Sequence, residues 1–382
     1  MIDTMHDALP PLLFMWENLG PTHHDRLAAV AAAGFAVEAI ELSATSSVYD
    51  WERTDATPYR VQTLEPSTGT TSAPVMFWRL LTACRRSRAR HLFLCHYERF
   101  AVFAVAAVMR LLGRRVFIML DSKFDDYPRF LWREAGKSLF VVPYSGGLVG
   151  SRRSRDYLNF LGMRGKPIEL GYDTIDIARF RPDDDADEVP FATRPFLIVA
   201  RLVPKKNISA VLRAFAAYRT MHGEARELHI IGYGSDRDAL EAEAKTLGIA
   251  DAVRFLGLQP SDEVARAMGS SLALILASTE EQFGLVVNEA LAAGLPVIVS
   301  GNAGASDYLI ENLGNGIHIN PYDQGCIVSA MAHVGSDEAT WRSMRARALE
   351  TAERGDARHF VSAVHDLVRR PMSARAAALA PA

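Results

Sequence analysis

A chain of 382 residues is too long for one ordinary hydrophobic core, so two domains are expected. Its 49% hydrophobic content, 23% charged content and net charge of -3 describe a soluble globular protein and give no support to a nucleic-acid partner. Three cysteines without metal-ligand or CxxC spacing, a start that lacks a basic n-region, and no run of about 18 apolar residues suit a cytoplasmic protein without leader or membrane span.

Apolar runs alternate with Ala/Leu-rich helical stretches, the pattern of parallel α/β architecture. In the first half, strands are expected near Leu12–Met15, Ala36–Glu41, His91–Cys95, Val116–Leu120 and Phe140–Pro143, with helices over Asp25–Ala33 and Phe100–Leu112. Phe180–Pro195 then combines three prolines with a run of acids, a linker composition. In the second half, strands fit Phe196–Ala200, Leu228–Ile231, Val253–Leu256, Leu272–Leu276 and Val297–Val299, separated by helices near Ser209–Met221, Asp236–Leu247 and Ser261–Met268. The natural reading is two doubly wound units, over 1–178 and 196–356, with a linker over 179–195. Residues 357–382 are expected to form a helix and an Ala-rich tail, the helix packing back on the first domain. Positive charge concentrates in the first half, at Arg85–Arg90 and Ser151–Arg155. A solvated basic face accounts for it, and so does contact with anionic lipid head groups or a phosphorylated acceptor.

The most informative stretch is Ala277–Ser300, ASTEEQFGLVVNEALAAGLPVIVS. It reads as a loop, then a helix opened by Phe283-Gly284-Leu285 and closed by Gly294-Leu295-Pro296, then a short β-branched strand. The amides of Gly284, Leu285 and Val286 would lie at the helix start, where free N–H groups and the macrodipole attract an anion such as a diphosphate. Glu281 stands ahead of that end and Glu289 about a turn and a half inside it. One carboxylate is placed for a hydroxylated group beyond the phosphates, the other for a group on the nucleoside side. A sugar–diphosphate–ribose ligand has that layout.

Each glutamate alone says little, because acids are common in first turns. The whole string resembles the E-x7-E signature of the family-4 retaining glycosyltransferases, including S-x-x-E before it (Ser278 to Glu281) and E-A-x-A-x-G-x-P-V-I after it (Glu289 to Ile298). Phe196–Asn207, FLIVARLVPKKN, resembles the same family's G-R-L-x-x-x-K-G motif, with Ala200 in place of the first glycine and Asn207 in place of the last. The resemblance implies a GT-B fold: two Rossmann-like doubly wound domains facing an interdomain cleft. It puts Arg201 and Lys206 on the donor diphosphate, with Lys205 a competing candidate that the spacing disfavours. It puts Glu289 on the ribose and Glu281 on the transferred sugar. Phe283, Gly284, Leu285 and Val286 would line the donor, as would the turn Gly232-Tyr233-Gly234 and Gly20, where small residues admit close backbone approach.

The first half matches loosely. Glu17, Asn18 and His24 are candidates for the acceptor side of the cleft. Many relatives end the strand at Val116–Leu120 with a histidine that contacts the transferred sugar. Here Asp121 stands at that point, and His96, ending the preceding strand, is the other candidate; both stay open. The implied reaction moves a sugar from a nucleotide-diphosphate sugar, a UDP-sugar ahead of a GDP-sugar, to a hydroxyl of a surface polysaccharide, glycolipid or small metabolite. It needs no cofactor and no metal: Asp183–Asp185 mimics a metal-binding acid pair but lies in the linker, and His23-His24-Asp25 lacks further ligands. Peripheral contact with the inner face of a membrane through the basic first domain would fit. Two other readings compete: an epimerase or phosphorylase on the same fold, and a non-catalytic nucleotide-sugar-binding protein.

Overall fold

Runs such as Leu12–Trp16 and Val297–Val299 carry apolar side chains at every position, so as strands they need cover on both faces. The computed structural model, which describes residues 9–45, 57–182, 189–223 and 226–370, supplies that cover with helices. Asp183–Asp185 lies outside the described residues.

The first sheet has seven strands: β1 (Leu12–Trp16), β2 (Val37–Ser43), β3 (Arg60–Glu65), β4 (His91–Leu94), β5 (Arg115–Leu120), β6 (Gly146–Val149) and β7 (Ile168–Leu170). They run parallel in the order β3-β2-β1-β4-β5-β6-β7. Their connections hold α1 (Pro21–Ala32), α2 (Ala73–Arg86), α3 (Phe100–Leu111), α4 (Leu131–Phe140) and α5 (Arg152–Leu158). One face of the sheet packs against α2, α3 and α5 through Leu80, Val105, Ile118 and Tyr157, with Phe140 and Val141 at the end of α4.

The second sheet has six strands: β8 (Phe196–Val199), β9 (Leu228–Ile231), β10 (Val253–Gly257), β11 (Ala273–Leu276), β12 (Val297–Ser300) and β13 (Gly316–Ile319). All are parallel, in the order β10-β9-β8-β11-β12-β13. Its helices are α6 (Ile208–His222), α7 (Arg237–Thr246), α8 (Ser261–Ser270), α9 (Val286–Ala292), α10 (Gly304–Tyr308), α11 (Gln324–Gly335) and α12 (Glu338–Ala352). Helices α6, α7 and α11 cover one face, and α8, α9 and α10 the other. The last helix, α13 (Ala357–Arg369), returns to the first domain, where Phe360, Val364 and Leu367 pack with Phe14, Phe93 and Phe117 on the sheet face opposite α2 and α3.

Where a strand was expected at Phe140–Pro143, α4 ends and a turn follows; the strand lies three residues later, at Gly146–Val149. The two domains meet through specific bonds. Arg153 of α5 pairs with Asp307 of α10 at 3.2 Å and donates to the Gly301 carbonyl at 2.9 Å, so part of the basic run at 151–155 is spent on holding the domains together.

Candidate interdomain active site

In each sheet the strand order reverses beside its first strand, between β1 and β4 and between β8 and β11. The loops leaving the carboxyl ends of strands that flank such a reversal splay apart and leave a crevice. Glu17, Asn18 and His96 leave the first sheet there, and Asp121 leaves the neighbouring strand β5; Arg201, Lys206 and Glu281 leave the second.

On the second domain, β8 leads through Arg201 into a single 3-10 turn, Pro204–Lys206, and then α6. Asn207 sits between turn and helix in the left-handed region, φ 56°, a conformation asparagine tolerates better than most residues. Its side-chain amide donates to the carbonyls of Ala277 at 3.2 Å and Pro321 at 2.8 Å, tying the turn to the end of β11. The Thr279 amide donates to the Lys205 carbonyl at 2.9 Å. Lys205 thus contributes its backbone, while the Lys206 ammonium reaches the Glu281 carboxylate, which also accepts from Ser278 Oγ at 2.9 Å.

Glycines bring the β9 turn against this loop. A Cβ on Gly232, φ 138°, would lie 1.9 Å from the Ala200 carbonyl oxygen, so no other residue fits. The Leu202 amide donates to the Tyr233 carbonyl at 2.7 Å. Gly284 has φ 98°, and regular helix begins only at Val286; the first local turns are Val287 N–H to the Gly284 carbonyl and Glu289 N–H to the Leu285 carbonyl. Phe283 is buried against α9. Glu289, half-buried in α9, has its carboxyl pushed up to about 7 by burial, with Arg179 pulling down and Asp25 pushing up.

On the first domain a cavity of about 650 Å³ is lined by Glu17, Asn18, His96 and Asp121, with Gln282 and Leu285 entering from the second domain. Glu17 pairs with Arg99 at 2.5 Å and lies 3.9 Å from His96 Nε2. His96 itself adopts φ 58°, a conformation that costs a non-glycine residue energy and recurs at functional sites. Gly20 caps α1, and its amide donates to His23 Nδ1 at 3.0 Å. The two histidines divide: His23 lines the cavity, whereas His24 is turned to the Tyr59 hydroxyl at 2.6 Å. Burial first, then Arg26, pushes the His23 imidazole well below its usual range, so it is neutral.

Sequence reasoning named Asp121 but missed a second carboxylate, Asp173. Asp173 lines the same cavity as Asp121, and burial followed by repulsion from Asp121 raises Asp173 despite Arg26 at 3.7 Å. Asp121 is also raised by burial. The result is a pair of carboxyls, both biased toward the protonated form, beside the Arg26 guanidinium, which the Thr174 carbonyl fixes at 2.9 Å. The only signal was Gly171-Tyr172-Asp173 after β7, a strand too short to read as one.

The domains are latched across the cleft. Lys123, fully buried and paired with Asp126, donates to the Glu281 backbone carbonyl at 2.8 Å. Gln282 Nε2 donates to Ser122 Oγ at 2.8 Å.

Comparison with known proteins agrees with this layout. Residues 183–354, a little under half of the chain, match the family profile described as Glycosyl transferases group 1. An uncharacterized glycosyltransferase of Methanocaldococcus jannaschii is 35% identical over 141 residues, 37% of this chain and 35% of that protein. D-inositol 3-phosphate glycosyltransferase of Rhodococcus opacus is 30% identical over 60% of this chain and 54% of its own length. The chain thus spans about a third to a half of these two curated relatives. Among solved structures, sucrose-phosphate synthase of Thermosynechococcus elongatus superposes with a TM-score of 0.75 at 17% identity, covering 94% of this chain and 98% of that one. Anabaena HepE in complex with UDP-glucose gives 0.73 at 15% identity, over 94% and 98%. The fold is therefore GT-B, with two Rossmann-like domains facing a cleft.

Proposed function

We propose that this chain is a hexosyltransferase-type glycosyltransferase that moves a sugar from a nucleotide-diphosphate sugar to an acceptor hydroxyl, with retention, in the interdomain cleft. The observation that carries the reading is the convergence of Lys206, Ser278 and Glu281 at the carboxyl edge of the second sheet, opposite the first-domain cavity that Gln282 and Leu285 help to line. Arg201 and Lys206 would take the diphosphate, assisted by the Gly284–Val286 amides; Glu289 the ribose; Glu281 the sugar. The UDP-glucose complex of HepE, a fold relative, supports a UDP-sugar as first choice, with a GDP-sugar second.

In this reading the acceptor hydroxyl enters beside Glu17, His96 and Asp121. The acceptor oxygen attacks the anomeric carbon as the sugar–phosphate bond breaks, and its proton passes to the departing diphosphate oxygen on the same face. No protein nucleophile and no metal are needed. Rate comes from orientation and from cationic stabilisation of the leaving diphosphate.

A thermal-shift panel of nucleoside diphosphates and their sugars tests the reading. A true donor in about hundredfold excess over its Kd should stabilise by about 2.7 kcal/mol. The product anomer, read by NMR, must match the donor's. Stabilisation by no nucleotide sugar would remove the reading, and an epimerised sugar formed without acceptor would replace it.

A further inference from the structure

Helices α2, α3 and α4 share one face of the first domain. Phe103 of α3 meets Phe140 of α4 with ring centroids 4.8 Å apart, and Arg114, after α3, donates to the Ser87 carbonyl after α2 at 3.0 Å. Their inner sides build the core described above. Their outer sides are unusual in two respects.

The first is apolar exposure. Phe100, Leu111, Leu131, Trp132, Leu139 and Val142 are each about two-thirds exposed, with Trp132 at 71%. Helix α4 is amphipathic in the wrong sense for a core helix: its buried residue is Glu134, which accepts from Lys137 at 2.9 Å and Tyr157 at 2.6 Å, while Leu131, Trp132 and Leu139 face outward. Arg133 lies over the Trp132 ring at 5.1 Å, placing a guanidinium among the exposed rings.

The second is charge. Residues 73–90, 100–114 and 130–142 hold nine Lys and Arg and one acid, the buried Glu134, in a chain whose net charge is -3. Arg85, Arg86, Arg88, Arg90 and Arg133 are exposed. Exposed Trp, Phe and Leu interleaved with arginine, on helices too short to span a bilayer, match a surface that lies in the head-group region of a membrane.

We propose that the α2–α3–α4 face docks on an anionic lipid bilayer, with Trp132, Leu131 and Phe100 entering the interface and the arginines on the lipid phosphates. A second copy of the chain is a poorer occupant: a two-fold contact would set this cationic face against itself. Nucleic acid is poorer too: Trp132 and Phe100 could stack on bases, but Leu111, Leu131, Leu139 and Val142 make most of the exposed apolar surface aliphatic, which bases do not cover. Residues Tyr127, Arg129 and Lys137, around and on α4, also line the 650 Å³ cavity, so docking would hold the cavity beside the head groups. The inference rests on this face alone and not on the sugar-transfer reading.

The test is co-sedimentation of the full chain with vesicles of phosphatidylcholine containing roughly 30% phosphatidylglycerol. Binding is expected at low salt, weakening as salt rises and falling at least about tenfold in pure phosphatidylcholine. Leu131→Ser with Trp132→Ser, and separately Arg86→Glu with Arg88→Glu, should each reduce it by about tenfold or more while leaving the melting temperature unchanged. Should either pair fail to fold, quenching of wild-type tryptophan emission by brominated acyl chains reads insertion without substitution. No binding to anionic vesicles, undiminished binding in folded variants, or absent quenching would overturn the proposal. So would a solution dimer dissolved by Trp132→Ser, or RNA binding through these arginines with vesicles ignored.

Discussion

Lys206 and Glu281 neutralise each other across the cleft edge of the second domain, each only about one-seventh exposed, at 15% and 14%. In the proposed reaction both would face the donor, the lysine its diphosphate and the glutamate its sugar. Donor entry must therefore loosen this pair, and the pair sets how much of the lysine's charge a bare nucleotide can use.

That relationship predicts opposite effects for the two residues. Glu281→Gln frees Lys206 from its counter-charge, so UDP should bind as well or a few-fold tighter, while kcat falls. Lys206→Ala should weaken UDP by about 1.5–3 kcal/mol, as loss of a bond to a charged group does. Calorimetric titration with UDP, alongside turnover with UDP-glucose, separates the two. Equal losses of UDP affinity would reject the assignment of Glu281 to the sugar.

Glu289 gives a pH signature. Burial raises its carboxyl from 4.5 to about 7, so the folded state favours the protonated form. The associated stability is fully present below the unfolded value and is lost as pH rises through about 7. Glu289→Gln should therefore gain stability relative to the parent above about pH 7 and not below about pH 4.5, as read by urea unfolding. Nucleotide binding runs the other way. Parent affinity should rise from about pH 6 to pH 8 as the carboxylate forms, and the glutamine variant should show no such slope.

The Lys123–Asp126 pair is buried, with side-chain exposures of 0% and 3%. Lys123→Met removes the ammonium from a buried carboxylate, leaving it the Lys123 amide at 2.7 Å and Arg129 at 3.9 Å, and should cost up to about 3–5 kcal/mol. Adding Asp126→Leu should recover much of that, because the desolvation cost leaves with the second charge. Denaturant unfolding of the single and double variants measures both.

Gly232→Ala tests the close approach of the β9 turn to the Arg201 loop. The added methyl would sit 1.9 Å from the Ala200 carbonyl oxygen, at a φ of 138°. A loss of roughly 2–4 kcal/mol and weakened nucleotide binding are expected. Retained stability would mean that the two loops are free to separate.

What the sequence made legible follows from how each element earns its place. Val297–Val299 and Phe196–Val199 are continuous apolar runs, and both stand in interior strands. The strands that were overlooked or misplaced are those whose packing demands glycine or whose edge is wet. In β6, a Cβ at Gly146 would lie 2.5 Å from the Pro167 carbonyl and one at Gly147 2.8 Å from Leu158, so strand propensity had to yield to space. Gly316 opens β13 for the same reason, 2.4 Å from the Val297 carbonyl. Edge strand β3, RVQTLE, is exposed or half-buried over its first four residues and carries little apolar signal. At the site, local strings marked Glu281 and Lys206, but nothing local could reveal their pairing, nor bring Asp173 beside Asp121 from 52 positions away.

Helix α13 gives the chain a particular order of assembly. Phe360 contacts Phe14 with ring centroids 5.7 Å apart, and Arg115 donates to the Val368 and Leu367 carbonyls at 2.8 and 2.9 Å. On that side the first sheet therefore has only α1 for cover until roughly 190 further residues have followed its last strand, about 10–40 seconds of synthesis. The domain that emerges first from the ribosome is finished last, after its neighbour has been made. Until then the part of the Phe14, Phe93 and Phe117 surface that Phe360, Val364 and Leu367 cover lies open to solvent and to chaperones. A release of nascent chains just short of Ala357 should yield a first domain that remains protease-sensitive beside a second that is already protected.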